Sequence, residues 1–289
     1  MEFCFKRSDR SVEGAARRVA QELASDALAT LKSDDIPLDI AVHEARKTVK
    51  KIRAVLRLVR GDMKSAGQDM GLLRHAAAAV SPLRAAAVRL ATLDRLAATL
   101  PDGPDGLEPL RRPLEAADRA ARDPKALARA LSGYSAHIRD IRRRSTGWTL
   151  AHKGFGAIEP GIRQTWDRAR AALATARDPA EIEALHELRK RIKDHWYQAR
   201  LLVRMNPAGL TPHAERIGAL GEALGSIHDI DDLLSCLGAE APADRLVSAA
   251  RDQRADLYAR ALPEAEAILG TNTDDLAAGW RAAWKAWRA

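Results

Sequence analysis

The chain has 289 residues, with 47 Lys and Arg against 39 Asp and Glu, for a formal net charge of +8. That length holds one large domain or two of ordinary size, and a pI near 9.8 predicts polyanions or anionic surfaces as partners. Ala, Leu and Arg dominate while β-branched residues are sparse, which excludes a sheet-rich fold and predicts an all-α one.

Helical periodicity runs through almost the whole chain. The opening residues, MEFCFKRSDR, are too polar for a signal peptide, and Arg or Asp interrupts every later apolar stretch. A soluble, cytoplasmic protein without a membrane span is expected. Cys4 and Cys236 fit no disulfide or metal spacing. A first helical stretch ends before Pro37, and a second, holding His43-Glu44-Ala45-Arg46-Lys47-Thr48-Val49-Lys50, runs to Gly61. Ser81-Pro82 lies inside an apolar helical stretch and is expected to kink or split it. The Pro101–Gly106 cluster closes that stretch. Asp123-Pro124 then places a carboxylate at an N-cap and proline at the first helical position.

The longest irregular stretch, Ser145 to Ala157, divides the chain into two helical segments. Beyond it Asp178-Pro179 repeats the start signal, with Glu181 completing a capping box. Next come His186-Glu187-Leu188-Arg189-Lys190-Arg191-Ile192-Lys193, a break at Asn206-Pro207, and a further start signal at Thr211-Pro212. After Gly270–Asn272, Trp280, Trp284 and Trp287 recur at helical spacing, as core or bundle contacts do. The punctuation yields roughly nine or ten helices. We read one domain over 1–289, made of a first helical bundle over 12–145 and a second over 157–287.

Both motif helices read H-E-x-R-K-x-x-K, 143 positions apart, and the match continues to Arg57-Leu58 against Arg200-Leu201. A long-period repeat predicts two equivalent halves. At ~100° per residue, His186, Arg189, Lys190, Lys193, Tyr197, Arg200 and Arg204 fall within about a quarter of the helix circumference. Leu185, Leu188, Ile192 and Trp196 fill the neighbouring quadrant. His43, Arg46, Lys47, Lys50 and Arg57 form the matching stripe, with Arg53 at its edge and Val42, Val49 and Ile52 on the apolar side. Glu44 and Glu187 fall elsewhere on the wheel, so the stripe is expected to have few acids to pair with. One Lys/Arg-rich face is ordinarily just solvated. Two copies with matched His, Arg and Lys argue for a duplicated anion-binding surface.

The motif, continuing through Asp194-His195-Trp196-Tyr197-Gln198-Ala199-Arg200-Leu201-Leu202, resembles the CHAD domain, the conserved histidine α-helical domain. Leu224-Gly225-Ser226-Ile227-His228-Asp229-Ile230-Asp231-Asp232-Leu233 is similar to that family's L-G-x-x-(R/H)-D-x-D segment. The likeness spans about Val12 to Ala283. It implies two four-helix bundles related by a pseudo-twofold axis around a basic central channel, and binding of inorganic polyphosphate, often at polyphosphate granules. By position, His43, Arg46, Lys47, Lys50, His186, Arg189, Lys190 and Lys193 would line the channel, with Arg57, Arg200, Arg84 and His228 extending it. The first-half counterpart of the second element is Val80 to Ala87. It keeps Arg84 but has Ala85 and Ala87 in place of Asp229 and Asp231, which predicts two unequal walls. The E-x-E-x-K strand of the CYTH domain that accompanies some relatives is absent, so a stand-alone domain is expected.

Polyphosphate carries about one negative charge per phosphate and only accepts hydrogen bonds, so a long track of Arg and Lys suits it. His43 and His186 would add charge as pH falls. The first rival reading is a nucleic-acid-binding helical protein, which the charge permits at low salt. No helix-turn-helix, zinc or RRM signature supports it, and aromatic residues are only 4% of the chain, too few for an evident stacking platform. The second is a metal-dependent phosphohydrolase built on His228, Asp229, Asp231 and Asp232. One such cluster defines no coordination sphere. Those acids fit better as salt-bridge partners of neighbouring basic helices, and neither a cofactor nor catalysis is expected.

Overall fold

A computed structural model describes residues 2–101, 103, 105–179, 181–237 and 244–289. Asp102 and Pro104 of the Pro101–Gly106 break lie outside them. The described residues form eleven α-helices and no strand. The fold is all-α. In chain order the helices are α1 (Val12–Thr30), α2 (Leu38–Val59), α3 (Ala66–Ala79), α4 (Ser81–Ala97), α5 (Glu108–Ala121) and α6 (Pro124–Ser145). Then follow α7 (Glu159–Thr175), α8 (Ile182–Leu202), α9 (Pro207–Leu237), α10 (Asp244–Leu269) and α11 (Thr273–Arg288).

Eleven exceeds the nine or ten expected, which left out the sequence break at Gly238 and Pro242 between α9 and α10. Other breaks fall where the residues dictate. The Asp123 carboxylate accepts from the Lys125 and Ala126 N–H groups at 3.0 and 3.1 Å, capping α6. Ser81-Pro82 splits the first half's long apolar helix into α3 and α4, which meet at 53°. Its second-half counterpart α9 runs unbroken. Two start signals are corrected. The helix after Asp178-Pro179 begins only at Ile182, because the Glu181 N–H turns back to the Asp178 carbonyl at 3.1 Å and no side-chain capping box forms at the N-cap Glu181. Pro212 is not a helix start but lies inside α9, which begins at Pro207 and continues past it.

α1 and α3 each pack against both α2 and α6, while α7, α8, α9 and α10 pack in sequence. α2 is the seam, since it also packs on α7 and α8. Buried Ala45, Val49, Ile52 and Leu56 supply its apolar face, and Tyr134 of α6 donates its hydroxyl to the Ala45 carbonyl at 2.9 Å. At the α2–α7 crossing Gly161 is obligatory. Any Cβ there would overlap the carbonyl oxygens of Arg57 and Leu58. α4 and α5 reach across to the second half, where Leu93, Leu96, Leu110 and Leu114 share a separate apolar cluster with Ile230, Leu233 and Leu246. Among the described residues no single helix is long and apolar enough to cross a membrane. The bent pair α3–α4 has such a composition, but its Leu73, Ala76, Leu93 and Leu96 are buried in the fold.

Candidate functional site

The first repeat, the first element after the kink and part of the second half converge on one groove of about 330 Å³. α2 contributes His43, Arg46, Lys47 and Lys50 on successive turns. α4 contributes Ser81, Arg84, Ala85 and Val88, α8 contributes Arg189, and α9 contributes His228, Asp229 and Asp232. The bend at Ser81-Pro82 aims α4 across α2, which brings Arg84 opposite the α2 stripe. It also places Ser81 Oγ 3.4 Å from Arg46 Nη1. A wider concavity of about 630 Å³ lies between α1 and α6 beside Arg139 and Arg142. It is an open surface of exposed side chains that none of the repeated residues reaches.

Among the described residues no acid pairs with Arg46, Lys50, Arg84 or Arg189, and the Arg189 Nε is buried without a hydrogen-bond partner. The cost shows in the protonation equilibria. Loss of bulk water in the groove, then the neighbouring Arg189, Arg46, Lys193 and Arg84, lowers the Lys50 pKa to about 8. Burial and then Arg84 and Arg189 also lower that of Arg46. The arrangement is an uncompensated cluster of like charge, which a bound anion would relieve.

The two helical acids depart from the wheel. Glu44 reaches Lys47 at 2.8 Å, while Glu187 reaches Lys190 at 3.6 Å and Arg191 at 2.6 Å. These side chains are long enough to bridge to i+3 and i+4 although their Cα atoms face away. The aspartates of α9 divide in role. Asp232 is held by Arg89 of α4 at 2.8 and 3.1 Å, and Asp231 by Arg254 of α10 at 2.5 Å, so both tie helices together. Asp229 faces the groove, its pKa raised by burial against the pull of Arg189, Arg95 and Arg84.

The histidines pair across elements. His228 Nδ1 lies 2.7 Å from His186 Nε2, with Asp231 3.7 Å from His186. Burial, then His186 and Arg189, lowers the His228 pKa to about 4. Burial is also the leading cause that lowers His186 and His43. All three are neutral at pH 7, so the standing positive charge is that of Arg and Lys.

Of the α8 stripe only Arg189 lines the groove; His186, Lys190, Lys193, Tyr197, Arg200 and Arg204 lie outside it, as do Arg53 and Arg57 of α2. Arg53 and Arg57 lie about one and two turns beyond Lys50 along α2, past the groove and in the α2–α8 seam. There Arg57 pairs with Asp194, which also accepts from Arg191 at 3.0 Å. Arg200 stacks over Trp196 with its guanidinium carbon 4.7 Å from the ring centroid, and Arg204 pairs with Glu2. Lys190 is exposed beside Glu187. Lys193, 2.5 Å from Glu222 and 4.5 Å above Trp196, lies outside the lining but adds to the field on Lys50. Sequence reasoning missed Asp194, Arg89 and Ser81, whose partners come from distant helices and leave no local spacing signal.

The low pKa of Lys50 fixes a pH dependence for any polyanion held here. A bound anion raises that pKa, so affinity falls as pH rises through 8. At pH 9 the loss is about tenfold relative to pH 7 if binding restores an ordinary lysine pKa. Titrations at pH 7 and 9 on the wild type and Lys50→Arg measure it; the loss should largely vanish in the variant.

Among the described residues no group of three or more His, Cys, Asp or Glu is placed to hold a metal ion. A family model for the CHAD domain matches residues 14–238. No curated protein matches the chain.

Proposed function

Because the chain belongs to the CHAD domain family, we propose that its groove binds inorganic polyphosphate, as a binding protein of the cytoplasm that attaches to or organises polyphosphate granules. The observation that carries this reading is the convergence of Arg46, Lys50, Arg84 and Arg189, none with an acid partner among the described residues, on one concave surface. Guanidinium forks and ammonium groups match the oxygens of a phosphate chain, which offers acceptors only. The groove lining contains no Phe, Tyr or Trp, which favours an inorganic chain over a nucleic acid. A binding role without catalysis also fits the acids, since Asp231 and Asp232 are engaged in holding Arg254 and Arg89.

Two readouts test the reading. Long-chain polyphosphate should displace duplex DNA from the protein at equal charge concentration; displacement of polyphosphate by DNA would refute it. The logarithm of affinity should fall with the logarithm of salt concentration at a slope of about −3, the value for four neutralised phosphates of a single chain at about 0.7 each.

A further inference from the structure

Asp229, Asp231 and Asp232 fall within about one turn of α9, yet they are not alike. Asp231 is held by Arg254 and Asp232 by Arg89. Asp229, which lines the basic groove, makes no hydrogen bond or ion pair among the described residues. Burial raises its pKa, and Arg189, Arg95 and Arg84 pull against that without any of them closing on the carboxylate. An acid that served only the framework would be engaged as its two neighbours are. Nor does the framework require an acid at this place, because the corresponding position of the first half, on the other wall of the same groove, is Ala85.

A free carboxylate is a poor neighbour for a phosphate chain. Both are anionic, both only accept hydrogen bonds, and a groove short of water strengthens the repulsion between them. A hard divalent cation removes the conflict, since it takes oxygen ligands from both partners. Mg²⁺ in particular is ordinarily held by one or two carboxylates together with substrate phosphates, not by a cage made of protein alone. The groove has that form. Among the described residues no group of three or more His, Cys, Asp or Glu is placed to hold a metal ion by itself. The groove does present one unengaged carboxylate beside Arg46, Lys50, Arg84 and Arg189, the cations read above as phosphate ligands. The other polar groups of that wall are committed, with His228 Nδ1 2.7 Å from His186 and Asp232 held by Arg89 at 2.8 Å.

We propose that the groove takes polyphosphate as its divalent-cation salt, with Asp229 coordinating a Mg²⁺ ion that also binds phosphate oxygens of the chain. The arginines and Lys50 hold the oxygens that the ion leaves free. This rests on the polyphosphate reading and adds the ionic form of the ligand, together with a role for the one acid that faces it. A monovalent ion at the same oxygens would be held more weakly, because its attraction scales with charge.

The test is isothermal titration of the full chain with polyphosphate of defined length, in Mg²⁺ and in EDTA at matched ionic strength, on the wild type and Asp229→Asn. Asparagine has the same shape, and Asp229 has no partner to strand, so matching melting curves are expected. Mg²⁺ by itself lowers the charge of the chain and loosens its hold on any basic groove. The informative quantity is therefore the ratio of wild-type to variant affinity in each buffer. In EDTA the variant should bind more tightly, since a repulsion is gone. The ratio should then rise about tenfold or more in favour of the wild type when Mg²⁺ is present. A ratio that changes by less than about threefold between the buffers overturns the proposal. A variant weakened equally in both buffers does so too, and marks Asp229 as a positioning residue for Arg189. Lys50→Glu/Arg189→Glu separates the two ideas. Binding in EDTA that this variant abolishes keeps the polyphosphate reading whatever becomes of Asp229, and binding indifferent to it removes that reading instead.

Discussion

Lys50→Glu/Arg189→Glu is expected to weaken polyphosphate binding about 100-fold at moderate salt while the protein stays folded. Charge-assisted hydrogen bonds are worth about 1.5–3 kcal/mol each, so two lost contacts cost at least about 3 kcal/mol, or roughly two decades of affinity. Reversal adds repulsion against the phosphates beyond simple loss. Stability should be spared for a physical reason. Both cations lack an acid partner among the described residues and repel Arg46 and each other, so replacing them with acids removes an unfavourable field. Neither side chain belongs to the buried core. Isothermal titration with a defined polyphosphate gives the affinity, and a thermal melt gives the folding. Affinity within about threefold of wild type would contradict the assignment of this groove.

Asp194→Ala should produce the opposite pattern, a large loss of stability. Asp194 is buried in the α2–α8 seam, where it accepts hydrogen bonds from Arg57 and Arg191, with Arg53 close enough to feel its charge. Removing the carboxylate strands these guanidinium groups in a poorly solvated interface. Breaking a buried pair in this way costs about 3–5 kcal/mol, equivalent to a fall in Tm of roughly 10 °C for a chain of this size. Asp194→Ala/Arg57→Met should recover part of that loss, because it removes a stranded charge together with its partner. Chemical denaturation of the two variants measures both effects. A cost below about 1 kcal/mol for the single variant would show that water, not Asp194, compensates these arginines.

The contrast between these residues shows what the sequence made legible. His43, Arg46, Lys47 and Lys50 were identifiable because helical periodicity is local, and successive turns of one helix keep them on one face. Arg84 and His228 emerged from the family resemblance, and the groove brings both to the α2 stripe. Arg53 and Arg57 continue the same pattern in sequence yet belong to the seam, because their acid, Asp194, lies on another helix well over a hundred residues further on. Arg89 and Asp232 meet across the halves in the same way. The wheel also places Glu44 and Glu187 by their Cα directions, whereas flexible side chains bring them to Lys47 and Arg191. The Ala85 and Ala87 replacements proved informative in space. Ala85 lines the groove where its counterpart in the repeat is Asp229, so one wall bears an acid and the other does not. Second-half His186 is drawn toward His228 and Asp231, while first-half His43 lines the groove.

The breaks in the chain divide along the same line. Asp123-Pro124 has a carboxylate within reach of two free N–H groups and starts α6 as its residues dictate. Asp178-Pro179 carries the same chemistry, but there the backbone turns first and the helix starts at Ile182. Capping is one of several small energies that set where a helix begins.

The most direct test of the composite groove is lysine footprinting by acetylation, with mass spectrometry, in the presence and absence of saturating polyphosphate. Lys47 and Lys50 line the groove, whereas Lys6, Lys125 and Lys285 lie on other segments. Polyphosphate should protect Lys47 and Lys50 strongly and leave Lys6, Lys125 and Lys285 reactive. Uniform weak protection of all five, or protection that spares Lys50, would contradict a polyphosphate site in this groove.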